Sequence, residues 1–332
     1  MRVELAMPRK LKAVSLFSGC GGFDLGAQQA GVKIIWANDI DPHAASAYQA
    51  LLPKVPFTLG DIRKIKVFPE ADILIGCYPC TGFSEAARRR PGDLTERDLR
   101  ANPGNFLYRE FLRALRQVNP KFLFVENVKG MLTAEQGWFF EKQKEGFRRH
   151  GYKIQSKLLV ATDYGVAQER KRVFIVGVRN DVEDFEYEFP APTHGGSTGT
   201  PYAVLRDVIG DLALRDDDAY CKEKFHGHFL TRNRKRSWDE PSYTIVAHAG
   251  HVPLHPDGKP MKGLGNDKYI LQGKINRHLS WRECAAIQGL PPHIKIDGGL
   301  SAKYRVVGNA VPPAFGHALL KPVARWAKSG AF

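Results

Sequence analysis

A chain of 332 residues is long enough to bury a large hydrophobic core, so neither disulfides nor a structural metal is needed to stabilise it. Hydrophobic residues make up 43% of the chain and charged residues 25%, which is typical of a folded globular protein and excludes a disordered one. The net charge is +14, with 49 Lys and Arg against 35 Asp and Glu, and this excess predicts a phosphate-rich partner.

Cysteine usage and the lengths of the apolar runs indicate where the protein works. The five cysteines are odd in number and scattered, and no apolar signal segment is found. We therefore expect a reducing, cytoplasmic or nucleoid-associated location without disulfides. The longest apolar runs are only about six residues long, far short of the roughly 20 that cross a membrane as a helix.

The first half of the chain alternates between short apolar runs typical of buried strands and segments with helical spacing. Strands are predicted over 12–17, 33–38, 71–77, 121–127, 154–161 and 172–178, and helices over 24–31, 42–52, 105–118 and 137–151. Pro42 suits the first turn of its helix, and Gly31 and Gly151 suit helix ends. This alternation predicts an α/β fold with a mostly parallel, doubly wound sheet.

The pattern changes after about residue 180. Pro, Gly, His and charged residues dominate 180–279, where only 203–214 has helical spacing. Helical spacing returns at 280–290 and again at 312–328. The sequence therefore predicts a discontinuous first domain, formed by 11–179 plus 280–328, and a second, smaller domain at 180–279.

Candidate cofactor residues lie where the predicted strands end, the usual ligand site of a doubly wound sheet. The turn FSGCGGFDLG at 17–26 follows the first strand, and its glycines either admit a ligand or only pack helix against strand. Asp39 ends the second strand, where a carboxylate commonly binds ribose hydroxyls, and Asp61 is another acid at a third strand-loop junction. The spacing matches neither a triphosphate loop nor the dinucleotide fingerprint. An adenosine-containing sulfonium cofactor without phosphates fits best.

The loop GCYPCTGFSEAARRR at 76–90 contains Cys77 and Cys80 in C-x-x-C spacing. Such a pair is consistent with a redox motif or half of a zinc site. The other cysteines lack the spacing of two further zinc ligands, which argues against a zinc site. A redox motif would be followed by a helix, but here a loop with three arginines follows, which argues against a redox pair. The favoured interpretation places Cys77 in the core and makes Cys80 a nucleophile activated by nearby positive charge.

Two more polar groups are predicted at strand ends. Glu126 in VENVKG breaks an apolar strand, and a buried carboxylate there is costly unless it binds something or keeps its proton. Arg170 and Arg172 in QERKR lie on the same side of an extended segment and form a candidate clamp for an anion or carbonyl group. The alternatives are a solvated strand end and ordinary surface charges.

Taken together, these segments resemble the S-adenosylmethionine-dependent DNA (cytosine-5) methyltransferases over nearly the whole chain. The blocks that carry the resemblance are FSGCGGFDLG, NDIDPHA, GDI, YPCTGFS, ENVKG, QERKRVFIVG, RECAAIQGLP and GNAVPP. The resemblance implies a Rossmann-like methyltransferase sheet and a bacterial enzyme of the restriction-modification type. Its partner would be double-stranded DNA, read by a target-recognition domain at 180–279. We expect a monomer, and a cognate restriction endonuclease acting on the same site is compatible with this family.

The resemblance also implies catalytic and DNA-binding roles. Cys80 would attack carbon 6 of a cytosine flipped out of the duplex, so that carbon 5 accepts the methyl group. Glu126 would hold the exocyclic amine and ring nitrogen 3, while Arg170 and Arg172 would engage the base oxygen and its surroundings. The candidate DNA contacts are Ser84, Arg88, Arg89 and Arg90 in the loop after Cys80, and Arg232, Arg234, His226, His228 and 244–251 in the recognition domain.

The implied cofactor is S-adenosylmethionine, with S-adenosylhomocysteine as the product, and no metal is expected. Asp39 would bind the ribose hydroxyls and Asp61 the adenine amine, while Asn309 would return from the tail of the chain to the same site. The full set of implied cofactor residues is Phe17, Gly19, Gly21, Gly22, Asp39, Ile40, Asp61, Pro79, Leu107 and Asn309.

The sequence departs from the family pattern at three places. Tyr78 and Thr81 stand where Pro and Gln are usual, Asp39 stands where Glu is commoner, and Leu290 replaces a usual aromatic residue. Since Thr is shorter than Gln, the change at Thr81 puts in doubt how the gap left by the flipped base is filled. Two alternative functions stay open, a tRNA methyltransferase and a catalytically inactive DNA-binding relative.

Overall fold

The computed structural model describes residues 10–79, 83, 96–212, 220–225, 227–291 and 294–329. The strands are β1 Lys12–Leu16, β2 Lys33–Asp39, β3 Phe57–Leu59, β4 Ile73–Gly76, β5 Phe122–Val128, β6 Tyr152–Val160, β7 Gln168–Glu169, β8 Lys171–Arg179, β9 Ser242–Tyr243, β10 Lys262–Gly265 and β11 Lys268–Ile270. The α-helices are α1 Gly22–Gln29, α2 Pro42–Leu51, α3 Glu96–Ala101, α4 Tyr108–Val118, α5 Trp138–Arg149, α6 Leu205–Ile209, α7 Trp281–Ile287, α8 Leu300–Asn309 and α9 Pro313–Lys328.

Seven strands form one sheet in the order β3-β2-β1-β4-β5-β8-β6. The first five are parallel to one another, whereas β8 runs antiparallel to both of its neighbours, β5 and β6. The mostly parallel α/β sheet predicted from the sequence is therefore confirmed. Because parallel strands end at the same edge of the sheet, the carboxyl ends of β1, β2, β4 and β5 lie together.

The central strands are apolar because both of their faces are covered. Along β4, Ile73 and Ile75 pack into a core on one face of the sheet and Leu74 into a core on the other. The first core includes apolar residues of α1 and α9, and the second includes those of α4 and α5. The period of two along a strand sends alternate side chains to opposite layers, which explains why these runs show no polar alternation.

Residues 180–279 contain little regular structure in their described part. They include the short helix α6, the hairpin of β10 and β11, and β9, which pairs in parallel with β7. After residue 280 the chain returns to the sheet, where α8 packs on α2 and α9 on α1. Helix α8 is not singled out by the sequence pattern. No helix within the described ranges is long and apolar enough to cross a membrane.

Helices α1 and α9 pack with their backbones in contact at Gly26. A Cβ atom added to Gly26 would lie 1.9 Å from Pro313 O and 2.7 Å from His317 N. Only glycine permits this approach, because the atoms it meets belong to a helix backbone that cannot move aside.

Gly26→Ala is expected to lower the free energy of unfolding by about 1–3 kcal/mol, because the added methyl group overpacks this helix pair. Gly227→Ala is the matched control, since an added Cβ there meets no atom within 4 Å. Its stability should stay within about 0.5 kcal/mol of the wild type. Urea unfolding followed by circular dichroism measures both variants, and equal stabilities would contradict the close packing of α1 on α9.

Candidate active site

A cleft of about 2200 Å³ opens at the carboxyl edge of the sheet. Its walls are formed by the turn after β1, the ends of β2, β4 and β5, the start of β8, and two later segments at 243–248 and 306–311. This volume exceeds the roughly 300–1,000 Å³ of an ordinary small-molecule pocket. The cleft therefore has room for a cofactor together with part of a larger substrate.

The turn after β1 has left-handed backbone geometry at the edge of the cleft. Phe17 has φ 55° and Gly19 has φ 55°, and both residues line the cleft. A Cβ atom added to Gly19 would meet nothing within 4 Å, so this glycine faces open space. Positive φ is strained for a residue such as Phe17, and strain of this kind concentrates at functional sites.

Gly21 and Gly22, which the sequence also predicts to surround a cofactor, pack against protein instead. A Cβ atom added to Gly21 would lie 2.8 Å from the Tyr48 ring, and one added to Gly22 would lie 2.2 Å from Val311 O. Neither glycine lines the cleft. Of the glycines predicted to bind cofactor, the structure therefore places Gly19 in the cleft, and the other two allow neighbouring elements to approach the turn.

Asp39 connects the end of β2 to the glycine turn. Its carboxylate accepts hydrogen bonds from Gly19 N at 2.8 Å and from Asp41 N at 2.9 Å. Burial raises the pKa of Asp39 above its ordinary value, and the backbone hydrogen bonds oppose that rise. Asp39 lines the cleft. Its hydrogen bond with Gly19 N therefore holds the carboxylate at the glycine turn, where a ligand would also bind.

Several predicted cofactor residues lie around Asp39. Ile40 is 64% exposed although it is apolar, and its side chain lines the cleft. Asp61 also lines the cleft, but its carboxylate accepts hydrogen bonds from the Arg63 guanidinium, the closest at 2.6 Å. This hydrogen-bonded ion pair lowers the pKa of Asp61. The remaining predicted cofactor residues found along the cleft wall are Pro79, Leu107 and Asn309.

Glu126 and Arg172 form an ion pair inside the cleft. Arg172 Nε lies 2.9 Å from Glu126 Oε1, and the two side chains are only 13% and 11% exposed, respectively. Burial raises the pKa of Glu126 above its ordinary value, although Arg172 and, more weakly, Arg170 lower it. The antiparallel pairing of β5 with β8 brings these two residues together from strands that are far apart in sequence.

Arg170 has a different environment from Arg172, although the sequence assigns both to one clamp. Its side chain is 1% exposed, and its Nη1 and Nη2 donate to Ile245 O and Gly308 O, each at 3.1 Å. Desolvation by burial and the nearby charge of Arg172 lower the pKa of Arg170 well below its usual range. The structure therefore commits much of this guanidinium to protein backbone.

Cys77, which the sequence places in the core, is only half-buried and lines the cleft, whereas Tyr78 beside it is buried. Burial raises the pKa of the Cys77 thiol well above its ordinary value, and the charge of Glu126 adds to the rise, so Cys77 is a poor source of thiolate. Tyr78 donates its hydroxyl to Gln143 and accepts a hydrogen bond at its own carbonyl from Asn127 Nδ2, at 3.3 Å. The tyrosine found where the family has Pro thus anchors the start of the loop.

Other predicted residues lie outside the described residues. They are the nucleophile candidate Cys80, Thr81, the DNA-contact candidates Ser84, Arg88, Arg89 and Arg90, and the recognition candidate His226. For all of them the sequence prediction stands untested.

The two recognition arginines differ in exposure. Arg232 is exposed and lines the cleft. Arg234 is buried, its Nε donates to Phe229 O at 3.1 Å and its Nη1 to His251 O at 3.4 Å, and its guanidinium lies 4.6 Å from the centre of the Phe229 ring. Arg234 therefore holds two loops of the cleft wall together. The His228 and His251 rings are neighbours there, with centroids 6.0 Å apart.

Sequence reasoning missed Asp24 and assigned no role to Asn127, although both residues support the site from within. Asp24 is buried and accepts hydrogen bonds from Ser15 Oγ at 2.8 Å and Tyr48 Oη at 2.7 Å. Burial raises its pKa to about 6. An acid within the glycine turn and an amide at the end of an apolar strand are the signals that could have identified these two residues.

The pH dependence of stability tests the burial of Asp24. Its pKa is raised from 3.8 to about 6, so the folded state binds this proton more tightly than the unfolded chain does, and wild-type stability falls as pH rises through that range. Asp24→Asn removes this titration. Between about pH 4 and pH 7 the wild type should lose about 2 kcal/mol relative to the variant in urea unfolding. A difference that does not change with pH would contradict the prediction.

Comparisons with known proteins agree with this geometry. The family model described as C-5 cytosine-specific DNA methylase matches residues 11–325. Among curated relatives, the type II methyltransferase M.BsuRI of Bacillus subtilis is 39% identical, covering 96% of this chain and 80% of its own. The type II methyltransferase M.BspRI of Lysinibacillus sphaericus is 40% identical, covering 96% and 82%.

Solved structures share the fold at low sequence identity. A prophage-encoded DNA modification methyltransferase (E. coli) superposes with a TM-score of 0.68 at 20% identity, covering 95% of this chain and 99% of its own. The Entamoeba histolytica methyltransferase EhMeth gives a TM-score of 0.66 at 17% identity, covering 95% and 98%. The sheet, the cleft at its carboxyl edge and the family match over residues 11–325 lead to one conclusion: the chain belongs to the C-5 cytosine-specific DNA methylase family.

Proposed function

We propose that this protein is a site-specific methyltransferase that transfers a methyl group from S-adenosylmethionine to carbon 5 of a cytosine in double-stranded DNA. The observation that carries the proposal is the nearly buried Glu126–Arg172 pair in a cleft too large for a cofactor alone. Because its relatives are type II methyltransferases, we also propose that it protects a site recognised by a cognate restriction endonuclease. We further propose that it acts as a monomer.

The cleft residues fit a methyl donor of the S-adenosylmethionine type. Exposed Ile40 offers an apolar surface for an adenine ring, and the Asp39 carboxylate lies beside the open space at Gly19. Asp39 would accept from ribose hydroxyls, and Asn309 would close the site from the end of α8. When bound, the donor supplies an electrophilic methyl group on a sulfonium centre. Phe17, Asp61, Pro79 and Leu107 are proposed as the remaining contacts along this wall.

The proposed nucleophile is Cys80, which follows Pro79 at the wall of the cleft. Its sulfur bonds to carbon 6 of the cytosine, and the electron pair displaced from the ring makes carbon 5 nucleophilic. After transfer, carbon 5 loses its proton and the bond to Cys80 breaks, which restores the aromatic ring. The raised pKa of Cys77 supports Cys80 as the reacting thiol.

Glu126 is proposed to stabilise the charge that develops on the ring. Because burial raises its pKa, this carboxyl group can hold a proton at ring nitrogen 3 while it accepts from the exocyclic amine. Arg172 would orient Glu126 through their ion pair and approach the base oxygen. Arg170 would not contact the base. It would act from beside the base, by holding the backbone carbonyls of Ile245 and Gly308 in place.

A cytosine can enter this pocket only if it leaves the base stack, because the face of a stacked base is inaccessible. We propose that Arg232 and the loop containing Ser84, Arg88, Arg89 and Arg90 contact the DNA. Residues 180–279 would form the target-recognition domain, in which Arg234 holds the cleft wall from the protein side.

Transfer of labelled methyl groups tests the proposed function. Purified protein incubated with methyl-labelled S-adenosylmethionine should label unmethylated duplex DNA and leave a tRNA pool unlabelled. Label in tRNA alone would support the RNA-modifying alternative, and label in neither pool would support the inactive relative. Bisulfite sequencing of the labelled DNA then identifies the target sequence.

Cys80→Ser and Cys77→Ser separate the two candidate thiols. Cys80→Ser should lose both methyl transfer and covalent trapping on DNA containing 5-fluorocytosine, because a serine hydroxyl is a far weaker nucleophile than a thiolate. Cys77→Ser should keep both, because the raised pKa of the Cys77 thiol leaves little of it as the reactive thiolate. Trapping is read as a slower-migrating band in a denaturing gel, and loss of that band in Cys77→Ser alone would make this assignment wrong.

Glu126→Gln tests the proton held at ring nitrogen 3. The amide cannot donate that proton, so kcat should fall by about 10²-fold or more while KM for DNA changes little. Since the pKa of Glu126 is raised, wild-type activity should decline on the alkaline side as this group ionises. The remaining activity of the variant should lack that decline. An unchanged pH profile in the variant would assign the decline to another group.

A further inference from the structure

Residues 242–247, which we call the docking segment, lie against β7, the short strand that directly precedes β8 of the main sheet. Strand β9 begins the segment and pairs with β7, and Ser242 N donates to Ala167 O at 2.9 Å. Thr244 Oγ1 donates to Glu169 O at 2.7 Å. The last residues of the segment line the cleft. The long insertion is therefore held, at the wall of the cleft, against the residues that lead into β8.

Two buried glutamines extend this junction. Gln168 Oε1 accepts from Ile245 N at 2.8 Å, and Gln168 Nε2 donates to Gln288 Oε1 at 2.9 Å. Gln288 Nε2 in turn donates to Val307 O at 2.9 Å. Both glutamines are 0% exposed. One pair of side-chain amides thus connects the docking segment to the end of α7 and to α8.

Arg170 completes the network from the opposite side of Ile245. The backbone N–H of Ile245 is bound by Gln168, and its carbonyl is bound by Arg170, which also binds Gly308 O. A Cβ atom added to Gly308 would lie 2.4 Å from Ala247 N, so α8 and the docking segment touch backbone to backbone.

A network of this kind specifies position more than it adds stability. Hydrogen bonds in the interior are directional, and desolvation offsets most of their energy, whereas apolar contacts are non-directional and tolerate sliding. If the docking segment shifted along β7, the buried side chains of Gln168 and Arg170 would lose their hydrogen bonds to Ile245. The network therefore favours one register between these segments.

The same register also fixes the segment relative to residues of the proposed active site. Arg172, two residues after Arg170, forms the ion pair with Glu126, and Asn309 directly follows Gly308. The docking segment consequently stands at a fixed distance from both the proposed base pocket and the proposed cofactor wall. Gln168 and Gln288 do not themselves line the cleft.

We propose that Gln168, Arg170 and Gln288 are positioning residues that fix the docking segment relative to Glu126 and so set how accurately the enzyme selects its target cytosine. This inference rests on the proposed function, since it requires DNA in the cleft. The three side chains act through the segment they hold, because a displacement of about 1 Å at a recognition surface is enough to misalign a reacting base.

Gln288→Met is the decisive variant, since it keeps the length and volume of the side chain and removes its hydrogen bonds. With unmethylated bacteriophage lambda DNA, KM should rise about tenfold, and methylation of sites differing by one base pair from the main site should rise about tenfold relative to that site. The Kd for S-adenosylhomocysteine should not change, and kcat should stay within about twofold. Bisulfite sequencing reads every cytosine of the substrate and therefore covers both the main site and its near matches.

Tyr152→Phe is the matched control. It removes another buried hydrogen bond, from Tyr152 Oη to Pro120 O at 2.6 Å, at the opposite edge of the sheet. Both variants should melt at a lower temperature than the wild type, but Tyr152→Phe should keep the wild-type site preference. If Gln288→Met changed only the melting temperature, as the control does, the positioning role would be overturned.

Failure of the wild type to methylate lambda DNA would contradict the proposed function. The positioning role would then be tested by a second measurement. Competition binding of lambda DNA fragments compares the wild type with Gln288→Met without any chemistry. A loss of preference among fragments in the variant supports the positioning role, and identical preferences overturn it.

Discussion

Backbone contact between the end of the chain and the glycine turn is the constraint on which the rest of the structure depends. At Gly22 and Gly26 an added Cβ atom would lie 2.2 Å from Val311 O and 1.9 Å from Pro313 O. Because these positions carry no side chain, the returning chain lies directly against α1 and brings Asn309 into the cleft. One wall of the cleft is therefore built by residues 306–311, which lie far along the sequence from the glycine turn.

The charges at the centre of the cleft show what the fold must hold in place. Glu126, Arg170 and Arg172 are all nearly buried, and transferring charged groups out of water is costly. The ion pair and the two carbonyls bound by Arg170 offset that cost. Apolar residues packed in the same space would stabilise the fold at least as well as these buried charges. Buried charges of this kind are therefore typical of a site that is retained for its chemistry.

Much of the fold could be predicted because its signals are local. A buried strand such as β4 or β5 reveals itself through a continuous apolar run, and the alternation with helices predicts the parallel sheet. Helix α8 was missed because its apolar residues are interrupted by charged ones and it contains Gly308, which has low helix propensity. The division into domains at residues 180 and 279 stays a prediction.

The site could be predicted less completely, because side-chain direction depends on distant segments. Asp39 and Glu126 line the cleft as the strand-end argument predicts. The partners of Arg170 lie 75 and 138 residues further along the chain, so its spacing from Arg172 could not reveal them. The sequence cannot show whether Gly21 makes room for a cofactor or for a protein side chain. In the structure it makes room for the ring of Tyr48.

The packing of α1 on α9 also determines when the protein can fold. A ribosome makes α1, at Gly22–Gln29, long before α9, at Pro313–Lys328, so their contact joins segments that are far apart in the sequence. Closing so long a loop costs entropy before any contact forms, and non-local contacts of this kind slow folding. Until α9 has been made, α1 lacks its partner, and until residues 306–311 have been made, the cleft lacks a wall. A nascent chain would therefore stay without methyltransferase activity until both segments had left the ribosome.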